Sequence, residues 1–87
     1  MRRRVKTTER GIEFHFFHET GSAPHLHITA AHGTTADEAI ATYFGGVTSY
    51  DADHRRFVTM TATHTLFWNW IEQHRAVYVI SCIKAGE

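Results

Sequence analysis

Val58-Thr59-Met60-Thr61-Ala62-Thr63-His64-Thr65-Leu66-Phe67-Trp68-Asn69-Trp70 decides the fold. Val58, Met60, Ala62, His64, Leu66, Trp68 and Trp70 alternate with Thr59, Thr61, Thr63, Thr65 and Asn69. A period of two, carried by β-branched and aromatic residues, is the pattern of a strand with one buried face. The spacing predicts one long bent strand or two strands joined near Thr63-His64, with a helix over Leu66–His74 as the competing reading.

Downstream, Glu72-Gln73-His74-Arg75 is a polar hairpin turn, and Val77 to Ile83 is apolar on both faces, as suits a central strand. Upstream, Asp51-Ala52-Asp53-His54-Arg55-Arg56 is a polar loop, and before it comes the most strongly signalled element. Thr35-Ala36-Asp37-Glu38 is a capping box. Ala39, Ile40, Tyr43 and Phe44 follow at helical spacing, and Gly45-Gly46 stops the helix. Ile12 to His18, bounded by Gly11 and by Thr20-Gly21-Ser22, is an aromatic first strand. The segment from Pro24 to His32 is ambiguous. Leu26 and Ile28 alternate with His25 and His27 as in a strand, while Pro24 and Gly33 would bound a short helix. Residues 1–10 are polar and basic, a flexible arm or the start of an edge strand. The expected fold is therefore α+β: a small antiparallel sheet of three to four strands with one or two helices packed on one face, in a single domain over residues 11–87.

Composition narrows the function. The 87 residues carry nine Lys and Arg against nine Asp and Glu, so formal charge is zero. This argues against a strongly basic nucleic-acid binder. Positive charge is concentrated in the arm, at Arg2, Arg3, Arg4, Lys6 and Arg10. A single cysteine, Cys82, allows no internal disulfide and fits a reducing cytoplasm. No apolar run is long enough for a membrane helix, and no apolar region follows the basic start as in a signal peptide.

Eight histidines are spread along the chain. Histidine serves as acid, base, phosphate ligand or metal ligand near neutral pH. Metal-free RNA cleavage needs a base, an acid and a cation for the developing phosphorane charge. His32 precedes a capped helix, where backbone N–H groups favour a phosphate. His64, Arg56 and Lys84 lie on or beside strands. The candidate catalytic set is thus His32, His64, Arg56 and Lys84, with His54 and Arg55 as substrate-binding neighbours and no cofactor. Alternatively, His25 and His27, two apart on a strand, point to one face and can hold a divalent transition metal such as zinc. In Phe67-Trp68-Asn69-Trp70-Ile71, Phe67 and Ile71 face one way and the tryptophans the other. One face suits the core, and the aromatic residues Phe67, Trp68 and Trp70 are candidate anchors for a partner or for another copy of the chain.

Several local words resemble the BrnT-type ribonuclease toxins of the RelE-like superfamily. They are an aromatic first strand, the His32-Gly33 pair, the acidic helix start Asp37-Glu38-Ala39, the loop from Asp51 to His54, Arg56 entering a strand, and a last strand ending at Lys84-Ala85. The resemblance spans roughly residues 12–85. It implies RNA cleavage in the cell and neutralisation by an antitoxin protein. The chain departs from that pattern in its neutral charge, its many histidines and its paired tryptophans. The expectations are thus a metal-independent ribonuclease toxin of a toxin–antitoxin pair, a non-catalytic protein-interaction module, or a histidine-based metal-binding protein.

Overall fold

A computed structural model describes residues 2–19, 25–26, 33–71, 73 and 75–85, with the backbone alone for 2–5, 18–19 and 25–26. The elements in chain order are β1 (Arg2–Glu9), β2 (Ile12–Glu19), β3 (His25–Leu26), α1 (Ala36–Gly45), β4 (Val47–Asp51), β5 (Arg56–Met60), β6 (His64–Ile71) and β7 (Ala76–Lys84). The expected α+β class holds. The sheet is larger than the three to four strands expected, and it is mixed rather than antiparallel. Its order is β1-β2-β7-β6-β5-β4, with the two-residue β3 beside β2.

Three features set the size and mixed character of the sheet. The basic N-terminus is an edge strand, paired with β2 along its whole length from Arg2↔Glu19 to Glu9↔Ile12. Arg10 and Gly11 both have positive φ, the conformation of the tight two-residue turn that matches strand twist. Second, the helix passes straight into β4, which pairs with β5 from Val47↔Met60 to Asp51↔Arg56. Third, β7 returns alongside β2 in parallel at Glu13↔Ala76, Phe14↔Val77 and His15↔Tyr78. The alternating stretch from Val58 to Trp70 resolves into β5 and β6, joined through residues 61–63. In the ambiguous segment, His25 and Leu26 pair with Glu19 and His18; residues 27–32 lie outside the described residues.

Among the described residues α1 is the one helix, and it packs on one face of the sheet. Phe14, Phe16, Ala39, Ile40, Leu66, Trp68, Val77, Val79 and Cys82 form the core beneath it. Tyr43 bridges the layers, its ring 5.2 Å from Phe14 and 5.1 Å from Trp68, both edge-on. Trp68 stacks on Phe57 at 4.7 Å and donates its indole N–H to Thr59 Oγ1 at 2.8 Å, so the buried polar atom is satisfied.

A bulge in the β6–β7 ladder sets the faces at one end of the molecule. Phe67 pairs with Ser81 but Trp68 with Val79, leaving Ile80 as the extra residue. The alternation on β7 is reset there. Val77 and Val79 lie opposite Trp70 and Trp68 on the helix side, and beyond the bulge it is Cys82 and Lys84 that lie opposite Leu66 and His64.

The helix exit differs from its expected form. Gly46, the C-cap, has φ −97° and ψ 177°, an extended conformation open to any residue. A glycine is needed there for space. A Cβ would lie 2.7 Å from the Met60 carbonyl oxygen and 2.9 Å from that of Thr42. The close approach of β5 to the end of the helix is what demands it.

Candidate functional site

The described titratable side chains meet most closely where the start of α1, the start of β6 and the end of β7 converge. Thr35 caps the helix: its hydroxyl accepts from the Glu38 amide at 3.1 Å, and its own amide donates to Glu38 Oε1 at 3.2 Å. The capping interaction holds one carboxylate oxygen of Glu38 and leaves the other for the sheet. Oε2 lies 2.6 Å from His64 Nε2 and 3.8 Å from Lys84 Nζ. His64 and Lys84 are direct cross-strand partners, placed on this face by the bulge. The Glu38 carboxyl is held below its ordinary range, first by the His64 hydrogen bond and further by the Lys84 charge and the Thr35 bonds, with burial opposing.

The His64 side chain is 18% exposed and both ring nitrogens are engaged, Nδ1 with Thr63 Oγ1 at 2.8 Å. Thr63 is exposed, so that bond is the one a ligand can replace. A carboxylate-oriented imidazole beside an ammonium group has the elements of acid–base chemistry on an anionic substrate. The same contacts also lock the helix to the sheet.

Arg56 belongs to a different corner. Its Nε lies 3.4 Å from Asp51 Oδ2, and its guanidinium sits 4.2 Å from the centre of the Phe67 ring. His54 Nδ1 lies 2.9 Å from the same Asp51 oxygen. The Asp51 carboxyl sits low: burial raises it, but hydrogen bonds from the side chain and backbone of His54, the His54 charge and the Arg56 hydrogen bond outweigh that. Arg55 is in the left-handed region, and its carbonyl accepts from Asn69 Nδ2 at 2.8 Å. The register places Arg56 level with Asn69, about 17 Å along the strand from His64 at ~3.3 Å per residue. Arg56 and His64 also face opposite sides of the sheet. They do not converge, so Arg56 is not placed to clamp a phosphate at His64.

The remaining sequence candidates separate further. His32 and His27 lie outside the described residues, and of His25 the backbone alone is described. No trio of His, Cys, Asp and Glu able to hold a metal is found among the described residues. The three aromatic anchors are divided by the pleat. Trp68, 3% exposed, and Trp70 pack toward α1, whereas Phe67 lies under Arg56 on the other face. Their division was readable from the alternation, and the helix-facing pair belongs to the core.

Sequence reasoning did not single out β4. Among the described residues the large apolar side chains that stand exposed are Val47 at 80%, Met60 at 55% and Tyr50 at 54%. All three lie on β4 or its neighbour β5, and Val47 and Met60 are cross-strand partners. The signal in the sequence was only Val47-Thr48-Ser49-Tyr50, with three residues of strand-forming type directly behind two glycines. Along α1, a cleft of about 450 Å³ runs between the helix and the β1–β2 turn, with Glu9, Arg10, Asp37 and Phe44 in its walls. Arg10 lies over the Phe44 ring at 4.6 Å and ties the turn to the helix.

No helix among the described residues is long and apolar enough to cross a membrane. No family model, curated protein or solved structure matches the chain.

Proposed function

We propose that the protein is a protein-interaction module that docks through the outer edge of β4. The observation carrying this reading is the gathering of Val47, Tyr50 and Met60 on one edge. Single exposed apolar residues are ordinary, but Val47 and Met60 stand side by side as cross-strand partners, with Tyr50 on the opposite face, at a strand edge unpaired among the described residues, and such an edge is a ready template for another chain. Extended chains add to such edges through backbone hydrogen bonds, with alternate side chains supplying selectivity. A photo-crosslinking residue at Val47 tests this in the source cells. A discrete covalent adduct, missing when the same group is placed at the exposed Asp53, supports it; no adduct at Val47 contradicts it.

The Glu38–His64–Lys84 junction favours a second reading, the metal-independent ribonuclease toxin implied by the BrnT-type resemblance. In that reading His64 handles the proton, Glu38 orients it and Lys84 meets the phosphate, while an antitoxin protein restrains the enzyme. Purified protein incubated with RNA distinguishes the two. Cleavage abolished by His64→Ala supports the enzyme, and intact RNA with folded wild-type protein excludes it.

A further inference from the structure

We propose that the partner of the β4 edge is a second copy of this chain, joined by antiparallel β4–β4′ pairing about a two-fold axis at Ser49. This rests on the docking reading of that edge.

The two outer edges of the sheet differ in chemistry. β1 carries Arg2, Arg3, Arg4 and Lys6, and paired with its own copy it would set these charges against one another. Charged edge strands of this kind reject strand addition. β4 reads Val-Thr-Ser-Tyr-Asp, with no lysine, no proline and no bulge, and its first four residues are exposed. Its shortness and the terminal Asp51 are the only edge protection it carries.

Parity then restricts the register. In β4, Thr48 and Tyr50 face the helix side with Phe57 and Thr59, while Val47, Ser49 and Asp51 face the other. Directly opposed residues must share a face, so a symmetric pair is centred on a residue and not between two. Centring on Ser49 pairs all five residues of the strand: Val47 with Asp51′, Thr48 with Tyr50′, and Ser49 with itself. No like charges meet in this register. The only charge, Asp51, lies at the far ends of the ladder and already holds Arg56 and His54. Tyr50 against Thr48′ is an aromatic–β-branched pair, a favourable cross-strand combination. The contact is isologous, so it closes at two copies. A β4–β1′ contact would be head-to-tail and open-ended, and would offer one Asp to several arginines.

Five residues a side, with Val47 and Tyr50 among them, make a small interface at the weak end of specific contacts. Dimerisation in the micromolar range is the expectation.

Sedimentation velocity over a concentration series tests the arrangement through charge reversal at the axis. Wild type is expected to pass from monomer to dimer. Ser49→Lys and Ser49→Glu, each placing like charges face to face, are expected to dimerise about tenfold or more weakly. An equal mixture of the two variants is expected to recover the dimer, which also shows that both are folded. A wild type that stays monomeric at all concentrations overturns the proposal, as does a dimer indifferent to both substitutions or a mixture that fails to recover. The docking reading is judged apart. A monomeric wild type that still forms a Val47 adduct of another mass retains the docking edge and loses the second copy, whereas the lack of any adduct removes both.

Discussion

His64 Nε2 and Glu38 Oε2 lie 2.6 Å apart, joining the first strand residue of β6 to the first turn of α1 across 26 residues of chain. Because Oε1 of the same carboxylate closes the helix cap, one side chain serves both the local motif and the tertiary contact. His64→Ala removes the largest influence holding the Glu38 carboxyl low. A ¹³C NMR titration of the Glu38 carboxyl is therefore expected to show its pKa higher in the variant than in wild type. An unchanged titration would mean that the contact does not persist in solution.

The same contact makes stability depend on acid. A carboxyl whose folded-state pKa is depressed stabilises the fold above its unfolded value, and that contribution is lost as pH falls through the folded value. Glu38 and Asp51 both have this sign. Their contribution to the thermal unfolding midpoint is expected to be complete above the ordinary carboxylate range and to be lost below it. Glu38→Gln should start lower and have a shallower acid limb, while Asp51→Asn removes a further part. If the double variant keeps the full wild-type slope, these two carboxylates are not its source.

Thr59 is fully buried and accepts from the Trp68 indole while sharing a hydrogen bond with Thr48. Thr59→Val keeps the shape and leaves a buried N–H without its acceptor. A cost of about 1–3 kcal/mol is expected from urea unfolding. A loss well under this would show that the indole finds another partner.

The two adjacent glycines are expected to respond in opposite directions. A Cβ at Gly45 meets nothing within 4 Å, and Gly45 is the last residue of α1. Gly45→Ala should be neutral or stabilise by about 0.4–1 kcal/mol, through the unfolded chain. Gly46→Ala drives a methyl into two backbone carbonyls and should cost about 1–3 kcal/mol. Equal effects in denaturant titrations would contradict the close packing of β5 on the helix exit.

What the sequence discloses depends on how far local signals coincide with tertiary ones. The capping box at Thr35–Glu38 and the two-fold alternation into Trp70 are each strong and local, and both elements form where expected. β1 was obscured because its residues are polar and basic, as an edge strand tolerates. β4 was obscured because it is five residues long and largely exposed, so no buried face imposes alternation. The parallel pairing of β2 with β7 has no local signature at all. In the site, His64 and Lys84 could be suspected from residue type, but their meeting depends on the bulge at Ile80, which shifts the β7 alternation by one residue. Glu38 was legible only as a cap. Asp51 looked like a loop acid, yet it gathers His54 and Arg56 at a corner remote from His64.

Amide hydrogen exchange along β4, measured in dilute and in concentrated solution, tests the docking edge and its occupant most directly. The expectation is that the alternate amides of β4 that point away from β5 slow as concentration rises while those of β1 do not change. Exchange in β4 that is independent of concentration, in a protein whose sedimentation also stays monomeric, would contradict self-pairing at this edge.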